Sequence, residues 1–233
     1  MLEVARARPD RAHVHLFVMI LLSTCLRVEA ILELDAAQIV DGAIYSLKPG
    51  RRQTSKRRSI VPIAPTLVPW LEERRGKIIQ YTVPRSTKPA KIKRHGDEPV
   101  VRATASIKTA FAACLRDAGL IERGADGAVV LNARGTPIPL GSPNTLRHTV
   151  QTELHRRGVP EAQIEAAAGH RGTGTGKRNY VHLRPGHMAE FVGGIEAYWA
   201  EVGRYTAAHL RYQRDTNVIE LAGSRTARSR QSI

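Results

Sequence analysis

Two arginines interrupt otherwise apolar runs. Arg27 sits in Cys25-Leu26-Arg27-Val28, and Arg147 in Thr145-Leu146-Arg147-His148-Thr149. A guanidinium at the margin of a core requires an anionic or carbonyl partner, because an unpaired buried charge is costly. Two readings fit. The arginines are structural ion-pair members, with Glu29 or Glu33 as neighbours for Arg27, or they hold an anionic ligand in bidentate fashion. Other chemistries find no residues. Nine histidines are scattered, none paired around a Glu at zinc-protease spacing, so metal catalysis is not indicated. No G-x-S-x-G elbow offers an acyl-transfer serine. Gly172, Gly174 and Gly176 lack the preceding strand and following Lys-Ser/Thr of a phosphate-cradling loop.

The composition favours an anionic partner. The 233 residues include 36 Lys plus Arg against 21 Asp plus Glu, a formal net charge of +15. Nucleic acid is the commonest partner of so basic a domain. Two cysteines, Cys25 and Cys114, exclude a disulfide scaffold and a four-cysteine zinc site. One bridge between them stays open, although reduced thiols are expected of an intracellular chain. Arg6, Arg8 and Arg11 before the apolar run Val14 to Leu22 imitate a signal peptide. Glu3 and Asp10 interrupt the charged part, no Ala-x-Ala site follows, and the run falls short of the ~20 residues of a membrane span. A buried helix is expected instead.

The elements that must position the arginines read as mainly helical with a small antiparallel sheet, an α+β chain. Arg11 to Leu34 is predicted as one helix, since no Pro or Gly breaks it. Asp41-Gly42 marks a turn. Ala43 to Leu47 and Ser59 to Ile63 read as strands of a hairpin whose basic connection spans Lys48 to Arg58. Thr66 to Lys77 is predicted helical. Arg74 to Arg94 holds eight Lys or Arg and no acid; Pro84 and Pro89 make it an irregular basic loop. Ser106 to Ala118 is an amphipathic helix with Ile107, Phe111, Cys114 and Leu115 inward. Ala128 to Ala133 reads as extended. Further helices are expected over Asn144 to Arg157, closed by Gly158; over Pro160 to Ala168, closed by Gly169; and over Met188 to Val202. From about Arg214 the chain is polar and basic.

Four boxes in order carry a resemblance. Thr145-Leu146-Arg147-His148-Thr149, then Gly169-His170, then Tyr180-Val181-His182 resemble the C-terminal boxes of the tyrosine recombinases, or phage integrases. Leu22-Ser23-Thr24-Cys25-Leu26-Arg27 with Ile31-Leu32-Glu33-Leu34 is similar to that family's first arginine box. Arg57-Arg58-Ser59-Ile60-Val61-Pro62-Ile63 resembles the strand ending its catalytic hairpin. The resemblance covers roughly Arg11 to Trp199. It implies the tyrosine recombinase catalytic-domain fold and phosphoryl transfer to a tyrosine hydroxyl without metal or cofactor. Arg27 and Arg147 would clamp the phosphate, Tyr180 would be the nucleophile, and His170 would bond the transition state or steer a proton. A free phenol has a pKa of about 10, so neighbouring cations are needed to favour the phenolate.

Several positions depart from the family. Asn144 stands three residues before Arg147, where the family has His; Asn donates a hydrogen bond but takes no proton. Gln53-Thr54 stands where the hairpin lysine is usual, leaving Lys56 as the acid for the leaving oxygen. The Tyr180 interval is one residue long. The pattern begins near residue 1, so residues 1–10 read as an extension, 11–203 as a catalytic domain without its N-terminal clamp, and 204–233 as a loosely ordered tail, as in a fragment or decayed prophage gene. The partner implied is double-stranded DNA in the cytoplasm, gripped by Arg51, Arg52, Arg57, Lys88, Lys91 and Lys93, with integration or excision as the outcome. The stripe Met188, Phe191, Val192, Ile195, Tyr198 and Trp199 is expected to dock on a second copy, giving a tetramer on paired sites. A non-catalytic DNA-binding remnant and an RNA-binding protein are the competing functions; aromatic residues at 5% weaken the latter.

Overall fold

The apolar run near the N-terminus becomes a helix surrounded on all sides. In the computed structural model, which describes residues 1–53, 57–83, 100–170 and 183–210, α1 (Leu2–Ala7) packs on α2 (Ala12–Thr24), and every residue from Val14 to Thr24 is buried. Apolar side chains occupy all faces of α2, the pattern of a central helix. Among the described residues no helix is long and apolar enough to cross a membrane.

The single helix expected from Arg11 to Leu34 is broken at Cys25, whose φ of 56° is left-handed. No Pro or Gly signals the break; Thr24 makes it. Thr24 Oγ1 donates to Ile20 O at 2.6 Å and accepts from the Leu26 N–H at 3.3 Å, so a hydroxyl competes with the helical ladder. Arg27 then adopts an extended backbone before α3 (Val28–Glu33).

Strands β1 (Ile39–Val40), β2 (Ala43–Tyr45) and β3 (Ile60–Pro62) form an antiparallel sheet in that order. Asp41 and Gly42 have φ of 48° and 70°, the two positive values a two-residue hairpin turn demands. Cross-strand partners Ile44 and Val61 are fully buried. The strands are shorter than expected, and β1, two residues long, carries no readable period. The Thr66 to Lys77 helix is replaced by a 3-10 turn at Pro65–Leu67 and α4 (Val68–Leu71). Glu73 and Gly76, both at positive φ, turn the chain back. The Ile78 N–H thereby reaches Leu34 O at 3.1 Å, and Ile78 and Ile79 are buried. A second ribbon pairs β4 (Gln80–Val83) with β5 (Val100–Ala103). It corrects the irregular reading of the basic segment over residues 80–83; residues 84–94 of that segment lie outside the described residues.

Helix α5 (Lys108–Asp117) buries Phe111, Cys114 and Leu115, with Ile107 buried just before it, as its periodicity requires. Cys25 and Cys114 are free thiols. Helix α6 (Pro143–Arg156) starts at a capping box, the Ser142 hydroxyl accepting from the Thr145 N–H. Helix α7 (Glu161–Ala168) ends at Gly169 in the left-handed region. Helix α8 (Ala189–Val202) buries Phe191, Ile195 and Trp199, with Met188 buried at its start. The stripe expected to seat on a second copy is therefore covered by its own chain. Trp199 Nε1 donates to Ser23 Oγ at 2.9 Å. A Cβ at Gly194 would lie 2.5 Å from Val159 Cγ2, so this glycine serves close packing. Residues up to Leu210 are anchored as well: Arg6 Nη1 donates to Ala207 O at 2.8 Å and Trp70 Nε1 to His209 O at 2.8 Å. The rest of the expected tail, 211–233, lies outside the described residues.

Candidate active site

The C-terminus of α7 organises the site. The last carbonyls of a helix have no partner within it and carry its negative dipole end. Here three in succession each accept from a different element. Ser59 Oγ, preceding β3, donates to Ala167 O at 2.7 Å. Arg147, from α6, donates through Nη2 to Ala168 O at 2.6 Å. Arg27, from the α2–α3 break, donates through Nη2 to Gly169 O at 3.1 Å. Arg27 Nη1 also donates to Arg57 O at 2.7 Å, joining the hairpin to the same cluster. The break at Cys25 is thus what brings Arg27 to this point.

Neither arginine has a carboxylate partner among the described residues. The ion-pair reading for Arg27 is overturned: Glu33 pairs instead with Arg58 Nη2 at 3.1 Å. Arg147 is only 6% exposed. Burial first, then the like charge of Arg27, pulls its guanidinium below the ordinary arginine range. Two cations close enough to repel, held by neutral oxygens, form a site that an anion would relieve.

His170 Nε2 lies 3.2 Å from Arg147 Nη2. Arginine can only donate, so a hydrogen bond here requires Nε2 to accept, which is the tautomer of a neutral imidazole. Burial, followed by the charges of Arg147 and then Arg27, lowers the pKa of His170 in agreement. Burial pushes the Cys25 thiol up to about 12, against the opposing pull of Arg147, which leaves it a protonated core thiol.

Gly169 could not be another residue without movement. Its φ is 67°, and a Cβ there would stand 2.5 Å from Arg57 O and 3.2 Å from Arg27 Nη1. The dipeptide Gly169-His170 was visible in the sequence, but the glycine's task, letting the hairpin and Arg27 approach α7, was not.

The structure brings Arg27, Arg147 and His170 together. Asn144 lies exposed in the first turn of α6, three residues before Arg147 and so on a neighbouring face. Arg51 and Arg52 are exposed on the hairpin connection, and Arg57 is half-buried. A cleft of about 1000 Å³ beside the hairpin is lined by Tyr45, Arg51, Arg57, Arg58, His170 and Arg184 among others. Lys56, Tyr180, the glycine loop 172–176 and Lys88, Lys91 and Lys93 lie outside the described residues. Among the described residues no group of three His, Cys, Asp or Glu could hold a metal ion.

The phage integrase family model matches residues 1–187, and the chain belongs to that family, the tyrosine recombinases. The family's general activity is site-specific DNA recombination. No curated protein and no solved structure matches the chain.

Proposed function

We propose that this chain cuts and rejoins duplex DNA through a 3′-phosphotyrosyl intermediate, on the tyrosine recombinase catalytic fold. The observation that supports the reading is the pair Arg27 and Arg147, in no salt bridge with a carboxylate among the described residues and fixed by the carbonyls at the end of α7 and the Arg57 oxygen. Such a pair matches the two non-bridging oxygens of a phosphodiester, and its fixed donors gain strength as charge builds on those oxygens. Tyr180 Oη attacks phosphorus, the P–O5′ bond breaks, and the 5′ oxygen leaves with a proton from Lys56. Lysine suits this task because its ammonium can lose a proton, which arginine does not. His170 bonds the phosphoryl oxygens beside Arg147 through its Nδ1–H, or takes the phenol proton at Nε2 once that nitrogen has released Arg147 Nη2. Asn144 offers a further hydrogen bond to phosphate but no proton transfer. Attack of a 5′ hydroxyl on the phosphotyrosyl ester reverses the step and restores the tyrosine, so no nucleotide cofactor is consumed.

Arg51, Arg52, Arg57, Lys88, Lys91 and Lys93 contact the DNA backbone in this scheme, which gives affinity with little sequence information. Assembly of several copies on paired sites is part of the proposal, without α8 as the exchanged element. The test is covalent capture: wild-type chain incubated with nicked duplexes from a randomised library should yield protein–DNA adducts resistant to denaturant. Tyr180→Phe should yield none while still binding DNA. Adducts that persist in Tyr180→Phe would show another nucleophile, and none from wild type would favour a non-catalytic DNA-binding protein.

A further inference from the structure

The peptide joining Arg57 to Arg58 is held at both ends. Its carbonyl oxygen accepts from Arg27 Nη1 at 2.7 Å. Its N–H donates to Gln53 Oε1 at 2.8 Å. Gln53 also donates, from Nε2 to Arg58 O at 2.7 Å. One side-chain amide therefore meets both backbone groups of Arg58, as a neighbouring strand would.

The reason lies in where the hairpin ladder stops. Beyond Tyr45 and Ile60 the last rung is Ser46 to Ser59, with the Ser46 N–H at 3.0 Å and Ser46 Oγ at 2.8 Å both donating to Ser59 O. The chain then turns through Lys48-Pro49-Gly50-Arg51, the Arg51 N–H donating to Lys48 O at 3.1 Å. Among the described residues no strand pairs with Arg58, and the Gln53 side chain meets its backbone groups instead. Because a peptide is planar, fixing its N–H fixes the direction of its C=O. Hydrogen bonds at the two ends of one amide also polarise each other. The far side of the same oxygen is bounded by Gly169, whose hypothetical Cβ would stand 2.5 Å away.

We propose that Gln53 is a positioning residue for Arg27: it locks the 57–58 peptide so that its oxygen directs the Arg27 guanidinium at the scissile phosphate. The proposal rests on the assignment of Arg27 to the phosphate clamp. It differs from a role as a mere hairpin staple, because a staple has no connection with the charge on one phosphate oxygen.

The experiment uses that connection. The full chain and its variants are given nicked duplexes, selected by covalent capture on wild type, with either an ordinary scissile phosphodiester or a methylphosphonate there. The methyl group replaces one charged non-bridging oxygen, so the cation that balanced it is no longer required. On the phosphodiester, Arg27→Ala should cleave at least a hundredfold slower and Gln53→Met about tenfold slower. On one methylphosphonate stereoisomer Arg27→Ala should regain most of the wild-type rate, and Gln53→Met should recover on that same isomer. If Arg27→Ala recovers and Gln53→Met stays equally slow on both substrates, Gln53 does not act through Arg27 and the proposal falls. If Arg27→Ala recovers on neither isomer, or wild type captures no duplex, the assignment of Arg27 fails first and takes the proposal with it. Should Gln53→Met melt below wild type, Gln53→Glu keeps an acceptor toward the Arg58 N–H and loses only the donor toward Arg58 O, so it should cleave the phosphodiester close to the wild-type rate; a loss as large as that of Gln53→Met would overturn the proposal.

Discussion

Replacing Gly169 with alanine should damage catalysis out of proportion to the one carbon added. The backbone there has φ of 67°, and the new Cβ would lie 2.5 Å from Arg57 O and 3.2 Å from Arg27 Nη1. Left-handed strain for an L-residue costs roughly 1–2 kcal/mol, and forcing atoms into a packed region typically another 1–3 kcal/mol. The two together come to roughly 2–5 kcal/mol. Gly158 provides the control. It also has positive φ, 74°, but nothing lies within 4 Å of its hypothetical Cβ, so Gly158→Ala carries the strain alone. The difference between the variants isolates the close approach. At roughly 2–4 °C per kcal/mol for a chain of this size, Gly169→Ala should melt several degrees below Gly158→Ala. The stronger contrast is in covalent capture at saturating DNA. Gly169→Ala must push Arg57 O or Arg27 away, and about an ångström of misplacement at a fixed donor costs on the order of a hundredfold. Gly158→Ala should cleave at the wild-type rate. Equal melting points and equal capture rates in the two variants would refute the claim that Gly169 holds Arg27 in register.

Three further outcomes are expected. Lys88→Ala, Lys91→Ala and Lys93→Ala combined should reduce the slope of log affinity against log salt by up to about 3; an unchanged slope would remove that segment from the DNA interface. The lowered pKa of His170 means that its contribution to stability is complete above the ordinary value of about 6.5 and declines as pH falls below it. His170→Gln should therefore show a smaller loss of urea midpoint between pH 7 and pH 5 than wild type, and an equal loss would contradict the assignment. Trp199→Asp should unfold the monomer rather than release a folded one from an assembly, since the indole is 1% exposed and bonded to Ser23; a folded monomer seen by light scattering and circular dichroism would restore docking in trans.

What the sequence disclosed followed strong local signals. The amphipathic repeat of Ile107, Phe111, Cys114 and Leu115, the Asp41-Gly42 turn and the terminal Gly158 and Gly169 each impose a conformation through periodicity or positive φ, and each appears in the structure. The errors came where side chains decided the backbone. Thr24 ends α2 without Pro or Gly. The pairing of β4 with β5 depends on residues about twenty positions apart, which no local pattern announces. The apolar stripe of α8 was legible, but an amphipathic face does not name its partner; Gly194, flush against Val159 and Leu154, shows that the partner is the chain itself.

The site was legible for a different reason. An arginine in an apolar run demands an acceptor, and the sequence left open whether that acceptor is a carboxylate or a carbonyl. The two answers have opposite consequences. A carboxylate would cancel the charge of Arg27 or Arg147 and leave a structural pair. Carbonyl oxygens fix the direction of the guanidinium and leave its full charge in place. The carbonyls of Arg57, Ala168 and Gly169 do this for both arginines, and burial, followed by the like charge of Arg27, makes Arg147 less willing to hold its proton. The cost of holding such charges together is offset by packing elsewhere in the domain, and a bound anion lowers it directly. His170 is held below its ordinary value by burial first and then by the charges of Arg147 and Arg27; a phosphate placed between the arginines opposes the charges, so an NMR titration of His170 should show its pKa higher with DNA bound, and no rise would count against phosphate at this position.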